Sequence, residues 1–413
     1  MINRRTASIQ LPRFFRFESL KMPAFSKNFV VIILLAFVFI PSSFDNDLNA
    51  VSLNAIIPAL FCYSIYKSPY LFGKYRFFRL LLLLIFLMML SGLAAVDSDL
   101  FWNEIRKMLG GAMFIFVLIR FCRTEYRYIY CFYLLYIIKF IYIFYYAYEK
   151  GLLTVDISSE RFNLDDLNAN VFGYFGFFAM AAAFLLTSYT QKLQKTFYAI
   201  LFYIIFGLTV TAGVFAASRA TLLISVAAFG LLLMIRYLYP INRRSVIAII
   251  LIVISVIAVS KTLDDTLEKS YVKGRFENKE DDRFDLLSRA FDVGKQNFVL
   301  GVGSGNFVLY NPTKQFSHNS FAELWANNGI IALLIFLFIL GEAFRKIREY
   351  NKLGGNKKNS LYFIVICATY CIYNLFYVFY INFFMLAFIF LIMMHLEHLK
   401  RIRLLTNKNQ LST

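Results

Sequence analysis

Apolar runs recur along nearly the whole chain, each close to the roughly 20 residues that cross a hydrocarbon layer. They predict an all-α polytopic membrane protein with one membrane domain rather than several soluble ones. Composition agrees, since 60% of the 413 residues are hydrophobic and 16% are charged. A soluble domain usually carries about a quarter charged residues. Spans are expected near Phe29–Pro41, Val51–Tyr66, Phe78–Val96, Met108–Cys122, Tyr128–Tyr148, Val171–Thr187, Thr196–Ala217, Ala220–Ile235, Val246–Ser260, Phe321–Phe344, Leu361–Phe379 and Tyr380–His395, about twelve crossings in all. The first run starts behind a long basic leader, so no cleavable signal peptide is expected, and Met22 is an alternative start to Met1.

The net charge of +18 sits between the apolar runs rather than on one face, which argues against a nucleic-acid partner and for topology signals. The N-terminal tail, 74–79, 120–127, 192–195, 236–244, 345–358 and 400–408 are basic, whereas the intervening connectors, including Asp97 with Asp99 and the long stretch 261–317, are acidic or mixed. Under the positive-inside rule the basic set faces the cytoplasm together with both termini. The stretch 261–317 has too little apolar content for a separate domain and is expected to fold down onto the membrane domain. The abundant Phe and Tyr read first as lipid-facing and interfacial residues. The five cysteines lie in or at the ends of apolar segments and suggest neither a disulfide framework nor a soft-metal site.

A few polar residues stand out against this background. Arg219 is the one charge between Lys195 and Arg236, a stretch too long for a single crossing, so the chain is expected to turn near Ala217-Ser218-Arg219. A guanidinium at headgroup depth either snorkels or binds an anion such as a lipid phosphate. Lys139 lies twelve residues past Arg127, about 18 Å along a helix and near mid-membrane. Its alternatives are an internal cavity and a structural partner.

In the long external stretch, Asp281-Asp282-Arg283-Phe284 opens a predicted helix running through Lys295. Gly301-Val302-Gly303-Ser304-Gly305 then permits a tight, loop-packing turn rather than a dinucleotide-binding one, which needs a strand before it. Ser317-His318-Asn319-Ser320 precedes the next span and carries the one histidine expected outside. Its imidazole can accept a proton near neutrality. His395 and His398 lie at the other end without an evident third ligand, so no metal site is expected.

Together, Arg283, then Gly301-Val302-Gly303-Ser304-Gly305-Asn306-Phe307, then His318-Asn319-Ser320-Phe321-Ala322-Glu323 and Gly329 resemble the O-antigen ligase and polymerase family. The interval from Arg283 to Gly301 (301 − 283 = 18 residues) resembles the family's, Ser218-Arg219-Ala220 resembles its Ser-Arg-Gly element, and Asn168-Ala169-Asn170 its Asn-Pro-Asn. The chain departs from the pattern at Ala220, Ala169 and Phe298, and no tryptophan follows Arg283.

The resemblance implies a membrane-embedded (GT-C-like) glycosyltransferase without a cofactor, metal-independent and inverting. Its donor would be a glycan on undecaprenyl diphosphate. The acceptor would be lipid A core or a lipid-linked repeat, with membrane lipids around it and room for a chain-length regulator as partner. It implies His318 as general base, with Arg219 and Arg283 on the diphosphate. Arg161, Asn170, Lys139, Arg289 and Asn319 are further substrate-binding candidates, and Arg275 a weaker one. The expected organisation is a cytoplasmic basic tail over 1–28, nine helices over 29–260, a periplasmic catalytic loop over 261–320, three helices over 321–396 and a second basic tail over 397–413, in the inner membrane. Ligase is the reading taken and polymerase its alternative. A carrier or flippase for lipid-linked sugar is the competitor from another class, disfavoured because the charged candidates gather in one external stretch rather than near the midplane.

Overall fold

The computed structural model describes residues 25–39, 50–150, 169–189, 192–215, 218–239 and 282–411, which are helical with connecting turns and hold no strand. Helices suit this composition, because a backbone in hydrocarbon has to bond its own N–H and C=O groups. They are α1 (Phe25–Phe39), α2 (Ile57–Lys67), α3 (Leu71–Lys74), α4 (Arg76–Leu90), α5 (Ser98–Thr124), α6 (Arg127–Glu149), α7 (Ala169–Tyr189), α8 (Lys192–Phe215) and α9 (Arg219–Leu238). After the undescribed stretch come α10 (Asp282–Gln296), α11 (Ser320–Lys352), α12 (Lys357–Tyr373) and α13 (Phe383–Leu411). Among the described residues six stretches, in α4, α6, α8, α9, α11 and α13, are long and apolar enough to cross a membrane.

The expected apolar segments each fall on a helix, except Val246–Ser260, which lies outside the described residues. Several bounds differ. α5 starts at Ser98, ten residues before the expected Met108, because Asp97 caps it by accepting from the Asp99 and Leu100 amides at 2.9 and 3.0 Å. α12 stops at Tyr373 rather than Phe379, and 374–382 form a loop with polar partners. The tail expected from 397 onward continues α13 as helix to Leu411.

Among the described residues, Arg76, Arg123, Arg345, Lys346, Lys400 and Arg401 are joined at one end of the bundle. There Arg123 and Arg401 both donate to the Tyr75 hydroxyl, at 2.9 and 3.0 Å. Lys346 pairs with Glu397 at 2.6 Å, Lys400 with Glu349 at 2.8 Å, and Glu342 with Arg76 at 3.3 Å and with Arg345. A linked network of this kind holds more firmly than isolated exposed pairs. It ties α4, α5, α11 and α13 together. Lys358 of α12 donates to the Arg236 carbonyl of α9, which makes α9 and α12 antiparallel neighbours, and Ser225 and Tyr373 hydroxyls meet at 2.7 Å toward their opposite ends. The segment carrying His318 lies at that opposite end, where Ser320 N–H donates to the Asn374 carbonyl at 2.8 Å.

Candidate active site

The site is built on a break in α11. Gly329 adopts φ 80° and ψ 174°, outside the helical region and within a conformation that is essentially glycine's alone. Breaking the helix there frees backbone groups, and the glycine turn takes them up. Ile330 N–H donates to Phe298 O at 2.9 Å, while Ala326 O and Asn327 O accept from Val302 N–H and Gly303 N–H, each at 2.9 Å. Gly301 and Gly303 reach this position with φ of 68° and 97°. The glycine-rich run is therefore a packing turn, as expected, and it replaces the helical bonds that Gly329 gives up. α10 packs on the same face, with Gly294 against the Trp325 ring and with Leu286, Ala290 and Val293 buried. Residues 282–317 fold onto the bundle, whereas 261–281 lie outside the described residues.

Side chains from four elements close around this turn. The Glu323 carboxylate, 1% exposed, accepts from Ser317 N–H at 2.7 Å and from Asn327 Nδ2 at 3.2 Å. Asn327 Oδ1 in turn accepts from Phe307 N–H at 2.8 Å. Asn306 Oδ1 accepts from the Val96 and Asp97 amides at 3.1 and 2.7 Å, and Asn328 Oδ1 accepts from Ser91 Oγ at 2.9 Å and from Ser304 Oγ. The side chains of Ser91, Ser304, Asn306, Glu323, Asn327 and Asn328 are all buried, where an unmade hydrogen bond costs about 1–3 kcal/mol.

Glu104 of α5 precedes the apolar segment that begins at Met108, and it accepts from the Tyr380 hydroxyl at 3.2 Å. Burial first, and the charge of Glu323 second, push its pKa up to about 8 from an ordinary 4.5. A raised acid contributes stability below its unfolded value, and that contribution is lost as pH climbs from about 4.5 through about 8. Glu104→Gln keeps the acceptor for Tyr380 and cannot ionise. The melting temperature of wild type in detergent is expected to fall between pH 5 and pH 8 more steeply than that of Glu104→Gln; equal slopes would contradict this.

His318 is half-buried, and its backbone has φ 55°, the left-handed region. For a residue with a Cβ this costs about 1–2 kcal/mol. Its neighbours hold it there. Ser317 Oγ bridges over it, donating to Asn319 O at 3.1 Å and accepting from Asn319 N–H at 3.3 Å. The Asn319 side chain caps α11, accepting from the Phe321 and Ala322 amides at 2.9 and 3.0 Å, and donates to Leu375 O at 3.3 Å. Ser320 Oγ donates to Tyr377 O at 2.8 Å. Strain of this sort persists where surroundings over-determine a residue, and it gathers at functional sites.

The other expected site residues divide into three groups. Ser218 caps α9 through its Oγ, so the chain does turn at Ser218-Arg219. Gly173 of α7 packs against Thr221 of α9, and Tyr174 donates to Phe376 O at 3.3 Å. The backbones of Asn170 and Arg219 thus stand at the His318 end of the bundle, while their side chains lie outside the described residues, as do Arg161 and Arg275. Arg283 is half-buried near the start of α10 and Arg289 is exposed on it.

Lys139 is fully buried, and its Nζ donates at 2.7 Å to the carbonyl of Phe39 in α1, 3.7 Å from the Phe384 ring centroid. His395 meets the Tyr133 hydroxyl at 2.9 Å and His398 stacks on Tyr126. Among the described residues no three His, Cys, Asp or Glu side chains are grouped to hold a metal.

Sequence reasoning gave no role to Glu104, Glu323, Asn306, Asn327 or Asn328. Asn306, Glu323 and Gly329 were visible in the motif, but their use depends on partners such as Asp97 and Ser317. Glu104 carried one signal, a lone acid just ahead of an apolar run.

Fold and site together define a multi-pass helical membrane protein with a polar loop stitched into a broken helix at one end. Residues 204–337, from within α8 to within α11, match the family described as O-antigen ligase, which supports the O-antigen ligase and polymerase family as the home of this chain. No curated protein matches it.

Proposed function

We propose that the chain is an O-antigen ligase-type glycosyltransferase, moving a glycan from undecaprenyl diphosphate to an acceptor sugar of lipid A core on the periplasmic side of the inner membrane. The observation that carries this reading is the strained, clamped backbone of His318 inside the matched segment. The acceptor hydroxyl attacks the anomeric carbon of the donor and His318 takes its proton. The bond from that carbon to the diphosphate oxygen breaks, and undecaprenyl diphosphate leaves as an anion. Attack opposite the leaving group inverts the anomeric centre.

Arg219 and Arg283 neutralise the leaving group, since a guanidinium can pair two phosphate oxygens at once and needs no metal. A cation at the first residue of α9 is unfavourable to the helix dipole unless an anion joins it, which suits this role. The proposed topology has about twelve crossings, both termini cytoplasmic and the His318 end periplasmic. Asn311 is buried, whereas Thr313 beside it is exposed. A single cysteine at position 313 is expected to react with an impermeant thiol reagent in intact spheroplasts; reaction only after lysis would reverse the topology.

A polymerase uses the same donor and the same chemistry with a lipid-linked repeat as acceptor. Purified protein given undecaprenyl diphosphate oligosaccharide and lipid A core is expected to make a single addition to the core. A ladder grown on the donor, with the core untouched, would replace the ligase by the polymerase.

A further inference from the structure

His318 is gripped from both sides, and the two grips differ in kind. On its C-terminal side Asn319 and Ser320 bond to the loop 374–379, through Leu375 O, Asn374 O and Tyr377 O. On its N-terminal side the described hold from another element on the Ser317 amide is a single carboxylate, that of Glu323 at 2.7 Å. Both Glu323 oxygens accept, one from the backbone beside His318 and the other from Asn327, whose own oxygen receives Phe307 N–H of the glycine turn. A left-handed φ of 55° relaxes unless both flanking residues stay fixed. Glu323 is also 1% exposed, so water does not compete for the bond.

We propose that Glu323 is the positioning residue for His318. By accepting from Ser317 N–H it holds the strained backbone that presents the imidazole to the acceptor hydroxyl, and through Asn327 it couples that presentation to the seating of the glycine turn. This rests on the reading of His318 as the base. An acid in the first turn of a helix also favours the dipole, so a purely structural role is the competing account. The two differ in what happens when the imidazole is gone. A residue that acts through His318 has nothing left to position in a His318→Ala background, whereas a structural residue still causes its loss there.

The test is a double-mutant cycle on purified full-length protein, with undecaprenyl diphosphate oligosaccharide and lipid A core as substrates. Glu323→Gln preserves shape but turns an amide N–H toward one of two donors. Its kcat is expected to fall at least tenfold with the donor KM within twofold and the melting temperature close to wild type. In His318→Ala the same change is expected to alter the residual rate by less than twofold. Glu323→Asp, which keeps the charge and withdraws the acceptor from Ser317 N–H, gives the same pattern and serves if the glutamine variant fails to fold. Equal losses in both backgrounds, or a loss confined to KM, overturn the positioning role while leaving His318 as base. Wild-type activity in His318→Ala overturns both.

Discussion

Replacing His318 by alanine is expected to lower transfer about 10²- to 10⁴-fold, the range that a positioned acid–base group contributes, and to leave the fold intact. The neighbouring bonds from Ser317, Asn319 and Ser320 hold the backbone on both sides of it. The companion variant His318→Gly separates chemistry from strain. Glycine occupies φ 55° without the penalty an alanine meets there, about 1–2 kcal/mol. His318→Gly is therefore expected to melt above His318→Ala and to be just as inactive. Assay of both variants beside thermal melting checks this. Near-normal transfer by either one removes the base from the mechanism.

The second large effect is expected at Gly329, which touches no reacting group. A Cβ there would overlap the Val299 carbonyl oxygen, and the backbone, with φ 80° and ψ 174°, lies where only glycine is at ease. Straightening α11 to accommodate alanine would return Ile330 N–H to Ala326 O, displacing Phe298 O and Val302 N–H from their partners. The glycine turn would come off the helix, and with it Phe307 and its bond to Asn327. Gly329→Ala is expected to lose about 3 kcal/mol or more, since strain and lost hydrogen bonds combine, and to abolish transfer. Gly341→Ala lies in the same helix with open space around it. It is expected to be neutral or slightly stabilising. Limited proteolysis of the segment 297–317 together with melting temperature reads both effects, and similar behaviour of the two variants would contradict the stitched-turn account.

How far the sequence carried the structure follows from the range of each interaction. Apolar length is a local property, so the positions of the described helices could be read directly. The break at Ser218-Arg219 and the glycine-rich run as a turn were likewise local. Lys139 was recognisable as a buried charge, but its partner is a carbonyl 100 residues earlier, set by how α1 meets α6. Glu104 and Tyr380 are 276 residues apart, and Asn306 bonds to amides 209 and 210 residues before it. Nothing in a single chain without its fold announces such pairs. Trp325 of α11 fills the space beside α10, and Phe298 packs edge-on to it with centroids 6.0 Å apart.

The most direct test of glycan transfer itself uses purified protein in vesicles. Undecaprenyl diphosphate oligosaccharide is supplied with an acceptor sugar, in wild type and in Arg219→Lys, and both glycosylated acceptor and released undecaprenyl diphosphate are measured. One released diphosphate lipid per transferred glycan is expected, with a strong loss in Arg219→Lys because an ammonium lacks the bidentate fork. Movement of intact lipid-linked oligosaccharide across the bilayer, with no glycosylated acceptor and no released lipid in either protein, would contradict the account and make the chain a carrier.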